Sequence, residues 1–201
     1  MSNTNPCRAV LRYPGSKWRI AQHLCEYIPE HHSYLEPYFG SGAVFFTKPP
    51  SAIETINDLY LDVVNLFSCL RNDPNKLASM IYATPYARYI YDLQFVGQTY
   101  YDPYEKALSF LIKCWMGHGY RTNGYKVGWK NDVQGREHAY SLLNWQKLPA
   151  WVLQAAERLK QAQIECMPAT DLIRRFDYEN VFMYIDPPYV LSTRTGKQYK
   201  H

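Results

Sequence analysis

The sequence lacks the features of a secreted, membrane-spanning or metal-binding protein. Its five cysteines are scattered, with neither a CxxC pair nor a histidine at zinc-ligand spacing, so we expect no structural metal. No apolar run approaches the ~20 residues of a membrane span, so we expect no membrane partner. An odd number of cysteines without a signal peptide indicates reduced thiols and predicts a cytoplasmic protein.

The sequence also lacks internal repeats and low-complexity segments. With 47% hydrophobic and 20% charged residues it is too apolar for general disorder, and 201 residues suffice for one core domain with an insertion. The net charge of +4 permits a polyanionic partner without requiring one. The 19 tyrosines and five tryptophans suit core filling and base stacking equally, so composition alone defines no function.

The first 65 residues alternate between strand, loop and helix patterns. An apolar run over 33–38 leads into a glycine turn, and a second run over 52–56 ends in Asn57-Asp58. The segment 59–70 places apolar side chains on one helical face, namely Leu59, Val63, Leu66, Phe67 and Leu70. We therefore predict an α/β fold with parallel strands, in which helical spacing returns at 150–159 and later strands end near 167 and 185.

The stretch 66–150 is predicted to be an inserted, mainly helical module, with residues 1–65 and 151–201 forming the core. Tyrosines and glycines cluster in this stretch, and helical periodicity fades after Trp115. Within it, the segment 113–136 carries five basic residues against one acid, with aromatic residues between the charges. This pattern is typical of a phosphate-contacting surface, although a solvated loop is the alternative interpretation.

The sharpest motif is Asp186-Pro187-Pro188-Tyr189, which follows the apolar run 181–185. It is therefore predicted at the carboxyl end of a strand, where ligands bind in α/β sheets. The carboxylate of Asp186 and the carbonyl of Pro187 can accept both N–H bonds of a planar amino group, which frees its lone pair to attack a methyl donor. Tyr189 offers a ring for stacking a base that has left its duplex.

An ordinary proline turn is the alternative interpretation of this motif. Asp73-Pro74 and Asp102-Pro103 provide internal comparisons, because neither follows an apolar run. We assign both to turns or helix starts.

A second motif, the sequence EPYFGSG over 36–42, places a glycine turn after the first predicted strand, where a ligand can approach the backbone. Asp58 follows Gly40 by 18 positions (58 − 40), close to the ~20 expected for an acid that reaches ribose hydroxyls. Together they predict an adenosyl cofactor. Phe45 stands where the third glycine of GxGxxG belongs, which disfavours a nicotinamide cofactor. Near the amino terminus, a tight turn can present Lys17 to a carboxylate or phosphate.

In this order, RYPGSK, EPYFGSG, IND and MYIDPPY resemble the DNA adenine methylase family over nearly the whole chain. The resemblance implies a Rossmann-like methyltransferase core with a target-recognition insertion. It implies transfer of a methyl group from S-adenosylmethionine to the N6 amino group of an adenine flipped out of double-stranded DNA. It also implies a bacterial or phage-encoded enzyme, for which a restriction endonuclease partner is possible but not visible in the sequence.

The resemblance also assigns residues to roles. The implied cofactor-binding residues are Tyr13, Lys17, Glu36, Pro37, Phe39, Gly40, Gly42, Asp58, Asp171 and Asp186. In this assignment Asp58 takes the ribose and Asp171 contacts the adenine ring of the cofactor, although Asn57 leaves a one-residue ambiguity at the ribose. The implied catalytic residues are Asp186, Pro187, Pro188 and Tyr189. The implied DNA-binding residues are Arg121, Asn123, Lys126 and Lys130.

Other functions remain open on these residues. The first is methyl transfer to another planar nitrogen, in cytosine, RNA or a protein glutamine, although the basic aromatic insertion favours DNA. The second is a catalytically silent nucleic-acid-binding remnant. The family resemblance calls for further strands after the catalytic motif, so we expect the core to be incomplete at the carboxyl terminus and methyl transfer by this chain alone to be weak or absent.

Overall fold

A computed structural model describes residues 7–97, 99–133 and 138–188 of the chain. Its strands are Ser33–Glu36 (β1), Ile53–Asn57 (β2), Ala162–Glu165 (β3) and Val181–Met183 (β4). They form one parallel sheet in the order β3-β2-β1-β4. The predicted α/β fold with a parallel sheet is therefore confirmed.

Strands β1 and β2 are covered on both faces. Tyr34, Leu35 and Glu36 are consecutive and all buried, as are the last four residues of β2. Parallel strands covered in this way appear in sequence as continuous runs, not as an alternation of apolar and polar residues. Because Ser33 pairs with both Ile53 and Val181, the carboxyl ends of β1, β2 and β4 lie along one edge of the sheet.

The described helices are α1 (Ala21–Cys25), α2 (Ala43–Thr47), α3 (Leu61–Asn72), α4 (Pro74–Ala83), α5 (Arg88–Leu93), α6 (Pro103–Met116), α7 (Tyr140–Leu159) and α8 (Ala169–Arg175). Two of them begin at Asp-Pro sequences. The side chain of Asp73 accepts from the backbone of Lys76 at 3.0 Å, and that of Asp102 accepts from the backbone of Tyr104 at 2.8 Å. This confirms that both sequences are helix starts, with proline in the first turn.

The prediction that Leu59 lies on the buried face of α3 is wrong. The helix begins at Leu61, and Leu59 is 51% exposed, whereas the other four predicted positions are buried. The physical reason is the carboxylate of Asp58, which accepts from the backbone of Tyr60 at 2.8 Å. This local bond holds residues 58–60 in a turn and delays the helix.

Helix α7 begins at Tyr140, ahead of the predicted 150–159, and contains Pro149. Proline removes one helical hydrogen bond, so a proline at position 149 disfavours the prediction of one continuous helix. Burial of Trp145 and Leu148 offsets that loss, and the indole of Trp145 donates to the carbonyl of Thr84 at 2.8 Å.

The predicted boundaries of the insertion lie inside helices. Helix α3 crosses the boundary at 65/66, and α7 crosses the boundary at 150/151. Buried side chains from both predicted parts also belong to one continuous apolar cluster. The division into core and insertion remains a prediction about function, because no break in secondary structure marks it.

Within the described ranges, no helix combines the length and apolarity needed to cross a bilayer. Over the same ranges, no group of three or more histidine, cysteine, aspartate or glutamate side chains is arranged to hold a metal ion. All five cysteines are free thiols.

A buried ionic cluster connects the end of α2, strand β2 and helix α7. Glu54 accepts from Lys48 at 2.5 Å and from both terminal nitrogens of Arg158, one of them at 2.7 Å. Burial by itself raises the pKa of Glu54, but the hydrogen bonds from Arg158 and Lys48 outweigh it and hold the pKa below its ordinary value. The ionised carboxylate of Glu54 in β2 therefore joins this strand to the end of α2 and to α7.

Replacing Glu54 should destabilise the fold strongly. In Glu54→Gln the cations of Lys48 and Arg158 stay close together without their counterion, and breaking a buried pair in this way costs about 3 to 5 kcal/mol. Urea denaturation measures the loss. The matched control is Glu157→Gln, whose exposed pair with Lys160 should contribute less than about 1 kcal/mol. Equal losses in the two variants would contradict the assignment.

Candidate active site

A cavity of about 370 Å³ lies at the carboxyl ends of the strands. Its lining comes from the amino-terminal turn, the ends of β1, β2 and β4, the start of α8 and one residue of the predicted insertion. The predicted site residues that line it are Tyr13, Lys17, Glu36, Pro37, Phe39, Gly40, Asp58, Asp186, Pro187 and Pro188. Residues distant in sequence thus meet where ligands bind in parallel α/β sheets.

The amino-terminal turn presents Lys17 to this cavity. The backbone of Ser16 donates to the carbonyl of Tyr13 at 3.2 Å, and Gly15 has a φ of 76° after Pro14. Proline followed by a glycine with positive φ is the pattern of a type II turn. The hydroxyl of Ser16 also lies 2.8 Å from that of Ser41, which fastens the turn to the glycine loop.

The ammonium group of Lys17 lies 2.6 Å from a carboxylate oxygen of Asp186. This pair joins the amino-terminal turn to the turn after β4, and both side chains remain partly exposed at 22% and 28%. The sequence predicts that Lys17 reaches a carboxylate or a phosphate. In the structure its partner is a carboxylate of the same chain, that of Asp186. A positive and a negative charge stand side by side in the cavity.

The two glycines of the loop after β1 are required for different reasons. Gly40 has a φ of 50°, lines the cavity and donates its N–H to Asp58 at 2.7 Å. Gly42 has a φ of 65° and is not among the residues that line the cavity. A Cβ at Gly42 would lie 2.3 Å from the ring of Phe39 and 2.8 Å from that of Phe46, so aromatic packing requires glycine there. The predicted contact of Gly42 with a ligand is therefore not supported by its position.

Asp58 and its neighbour Asn57 make different contacts. The amide of Asn57 is buried, where it donates to the carbonyls of Pro37 and Met167 and accepts from the backbone of Met167. It therefore joins the ends of β1, β2 and β3. Asp58 lines the cavity, and burial raises the pKa of its carboxyl although backbone N–H groups oppose the increase. Both residues line the cavity, but the Asn57 amide is occupied by these backbone contacts.

Glu36 is a buried acid at the end of β1. It is 2% exposed, lines the cavity and accepts from the hydroxyl of Tyr34 at 2.7 Å. Burial, and to a lesser extent the charge of Asp186, raise the pKa of Glu36, and the hydrogen bonds from Tyr34 and the backbone of Phe45 lower it, with a net value of about 8. The carboxyl is thus largely protonated at neutral pH.

Glu36 should make the stability of the fold fall with rising pH. Between the ordinary value of 4.5 and about 8, the unfolded chain has lost the proton that the folded chain still holds. Unfolding then releases a proton, so the free energy of unfolding decreases as pH rises through this window. In Glu36→Gln this contribution is absent. Urea denaturation at about pH 5 and about pH 8 should show a steeper decline for the natural chain, and parallel declines would refute the assignment.

Among the cavity residues that sequence reasoning missed are Tyr60, Thr122 and Tyr184. With 19 tyrosines in the chain, no single one stands out in the sequence. Thr122 is buried and comes from the predicted insertion, so only the folded structure brings it to this cavity. A usable signal existed for Tyr60 alone, which lies two positions after the predicted ribose acid.

Two predicted site residues are not placed in the cavity by the described structure. Asp171 lies in the first turn of α8, is half exposed and pairs with Arg174 at 3.3 Å, while Pro168, Ala169 and Thr170 line the cavity instead. Its predicted contact with the cofactor ring remains untested. Tyr189, the last residue of the predicted catalytic motif, lies outside the described residues.

The four predicted DNA-binding residues follow helix α6. Arg121 is exposed and lines a groove of about 710 Å³, together with Arg12, Arg19 and His118. The ammonium of Lys126 is bound to Asp92 at 2.8 Å. The backbone of Lys130 is held by Met116 and Tyr86, and the side chain of Asn123 accepts from the backbone of Tyr125 at 3.2 Å.

This groove adjoins the cavity, since Tyr13, Pro14 and Ser16 line both. One of its cations is held against an aromatic ring. The guanidinium of Arg12 lies 4.0 Å from the centre of the Trp115 ring, and burial lowers its pKa. A basic groove therefore leads to the wall of the cavity.

A parallel sheet with a glycine loop after β1, an acid after β2 and an Asp-Pro-Pro turn after β4 is consistent with a Rossmann-like methyltransferase. Residues 13–201 match the family described as D12 class N6 adenine-specific DNA methyltransferase. The chain belongs to this family.

Individual relatives support the same assignment. The chain is 27% identical over 194 residues to a DNA adenine methylase of Salmonella typhi, a match that covers 94% of this chain and 67% of that protein. It is 25% identical over 194 residues to the DNA adenine methylase of Escherichia coli K12, with the same coverage of 94% and 67%. A DNA N-6-adenine-methyltransferase of Escherichia phage P1 is 24% identical over 110 residues, covering 52% of this chain and 14% of that protein.

The chain is thus a DNA methyltransferase that modifies the N6 position of adenine with a methyl donor. The resemblance drawn from the four sequence motifs is confirmed. The alternative of methyl transfer to another planar nitrogen finds no support in these relatives. A nicotinamide enzyme, already disfavoured by Phe45, is not supported either.

Proposed function

We propose that the cavity binds S-adenosylmethionine and that Asp186 and Pro187 direct its methyl group to an adenine flipped out of double-stranded DNA. The observation that carries the proposal is the convergence of three loops in one cavity. These are the glycine loop at Gly40, the acid Asp58 and the turn that begins at Asp186.

The cavity residues fit the charges and hydroxyls of this donor. Its volume of about 370 Å³ lies within the range of small-molecule sites. Lys17 and Asp186 present opposite charges to the carboxylate and ammonium of an amino acid. Each carboxylate oxygen of Asp58 accepts one backbone N–H and retains a lone pair for a ribose hydroxyl.

S-adenosylmethionine supplies an electrophilic methyl group on a sulfonium, which is a good leaving group. The adenine amino group is a weak nucleophile because its lone pair is delocalised into the ring. The carboxylate of Asp186 and the carbonyl of Pro187 would each accept one of its N–H bonds and so turn the lone pair toward the methyl carbon. When the new carbon–nitrogen bond forms, the nitrogen sheds one proton, which we assign to Asp186. Neither proline contributes an N–H that would compete for these acceptors.

The adenine must leave the duplex to reach this turn. Pro187 and Pro188 are exposed at the edge of the cavity, where an extruded base would arrive. We assign the stacking surface for that base to Tyr189 on the basis of the motif. The insertion over 66–150 would recognise the surrounding DNA sequence.

Asp186→Ala should strongly reduce whatever methyl transfer the natural chain shows, while the chain stays folded. Loss of one such stabilising contact costs roughly 3 to 4 kcal/mol, or a factor of 100 to 1,000 in turnover. Transfer of a radioactive methyl group to duplex DNA at saturating donor measures the effect, with thermal unfolding as a check on folding. The control is Asp177→Ala, an exposed acid outside the cavity. Turnover within tenfold of the natural chain would remove Asp186 from the catalytic step.

The chemical product separates this function from its closest alternative. After the reaction, the DNA is digested to nucleosides and analysed by mass spectrometry. We expect methylation on adenine N6 and none on cytosine. Binding of DNA without any methylated nucleoside would instead identify a silent DNA-binding chain.

The groove that contains Arg121 is the proposed path of the DNA backbone. Arg12, Arg19 and Arg121 supply three cations there, and the groove reaches the wall of the cavity through Tyr13. Lys126 is less suited to bind a phosphate because Asp92 already neutralises it. Protein cations that displace counterions from DNA make binding weaken with salt.

Arg121→Ala should flatten the dependence of DNA affinity on salt more than Lys126→Ala does. Each lost phosphate contact changes the slope of log K against log salt by about 0.9, and a cation already paired with an acid gives a smaller change. Fluorescence anisotropy with labelled duplex over a series of salt concentrations measures the slope. Lys160→Ala, outside the insertion, serves as the control. A slope unchanged in Arg121→Ala would show that the predicted surface is merely solvated.

A further inference from the structure

The segment 117–130 of the predicted insertion extends to the wall of the cavity. Its base is closed by an antiparallel bridge between Gly117 and Trp129. Between these ends, Thr122 is buried and lines the cavity. The neighbouring Arg121 lines the basic groove. One short segment therefore contributes adjacent residues to the cavity and to the groove.

A hydrogen bond of 2.6 Å joins the hydroxyl of Tyr120 in this segment to the hydroxyl of Tyr60 after β2. Either hydroxyl can be the donor. The ring of Phe110 in α6 packs edge-on against both, with centroid distances of 6.1 Å to Tyr60 and 5.2 Å to Tyr120. Burial raises the pKa of both phenols, so the bond joins two neutral hydroxyls at physiological pH.

Tyr60 is held from its other side by the proposed ribose acid. The carboxylate of Asp58 accepts from the backbone of Tyr60 at 2.8 Å and from that of Gly40 at 2.7 Å. The ring of Tyr13 lies 6.3 Å from that of Tyr60 and 6.2 Å from that of Tyr120. A continuous set of contacts thus runs from the glycine loop through Asp58 and Tyr60 to the segment beside the groove.

We propose that the Tyr60–Tyr120 hydroxyl pair couples binding of the methyl donor to binding of DNA. This inference rests on the proposed function of the cavity and the groove. A donor bound at Asp58 would hold residues 58–60 and the hydroxyl of Tyr60 in place. The segment that carries Tyr120 would then lose less entropy when DNA binds beside it. By thermodynamic linkage, DNA would strengthen donor binding by the same factor.

The test is a double-mutant cycle on the two hydroxyls. Tyr60→Phe and Tyr120→Phe keep the rings and remove the bond, singly and together. The matched control is Tyr104→Phe, which removes a hydroxyl that accepts from Asn72 at 3.0 Å elsewhere in the insertion. The dissociation constant of random-sequence duplex DNA is measured with and without saturating S-adenosylhomocysteine, which binds like the donor but cannot react.

In the natural chain and in Tyr104→Phe, S-adenosylhomocysteine should tighten DNA binding by about fivefold or more, the lower range of allosteric coupling. In each single hydroxyl variant the factor should fall below about twofold, and the double variant should lose nothing more because both changes remove the same bond. In Tyr120→Phe, whose side chain is not among those that line the cavity, the affinity for S-adenosylhomocysteine without DNA should change by less than about threefold, since Asp58 and Tyr60 remain in place.

The outcomes separate the inference from the function beneath it. If the natural chain shows coupling and Tyr60→Phe retains it, the hydroxyl pair is only a packing contact and the inference fails while the function stands. If the natural chain binds both ligands without coupling, the inference fails as well. If the natural chain does not bind S-adenosylhomocysteine at all, the proposed donor site itself is wrong and the coupling falls with it.

Discussion

The carboxylate of Asp58 is the interaction on which the geometry of this site depends. One oxygen fixes the glycine loop through the N–H of Gly40, and the other fixes the start of α3 through the N–H of Tyr60. Two chain segments that follow different strands are thus tied to a single side chain at the edge of the sheet. A neutral residue of the same size would lose the charge that strengthens both bonds. The position of Tyr60, and with it the contact to the insertion, follows from this one acid.

Two buried glutamates of the sheet are held in opposite protonation states. Glu54, in strand β2, is matched by Lys48 and Arg158 and is held ionised. Glu36, at the cavity, is surrounded by Tyr34 and backbone donors and burial holds it largely protonated. The first arrangement stabilises the fold only while all three charges are present. The second leaves a largely protonated acid at the wall of the cavity.

The parts of the site that the sequence predicts are those encoded by local pattern. Apolar runs followed by Gly40, Asp58 and Asp186 predict strands that end in functional loops, and parallel pairing then brings those ends together. The parts it does not predict depend on contacts between distant residues. Gly42 is required by the rings of Phe39 and Phe46, which a search for ligand loops cannot distinguish from a ligand contact. Helix α7 continues across Pro149 because neighbouring side chains are buried against the rest of the chain. That burial depends on residues distant in sequence, so local patterns do not predict it.

The number of basic residues in the insertion does not show which of them are available to bind a polyanion. The sequence places Arg121 and Lys126 in one basic stretch and treats them alike. In the folded chain Lys126 is bound to Asp92, whereas Arg121 shares a groove with Arg12 and Arg19 from the amino-terminal turn. The positive surface that a polyanion would meet is therefore assembled from two distant segments. Because that turn also forms one wall of the cavity, the groove and the cavity share three lining residues, Tyr13, Pro14 and Ser16.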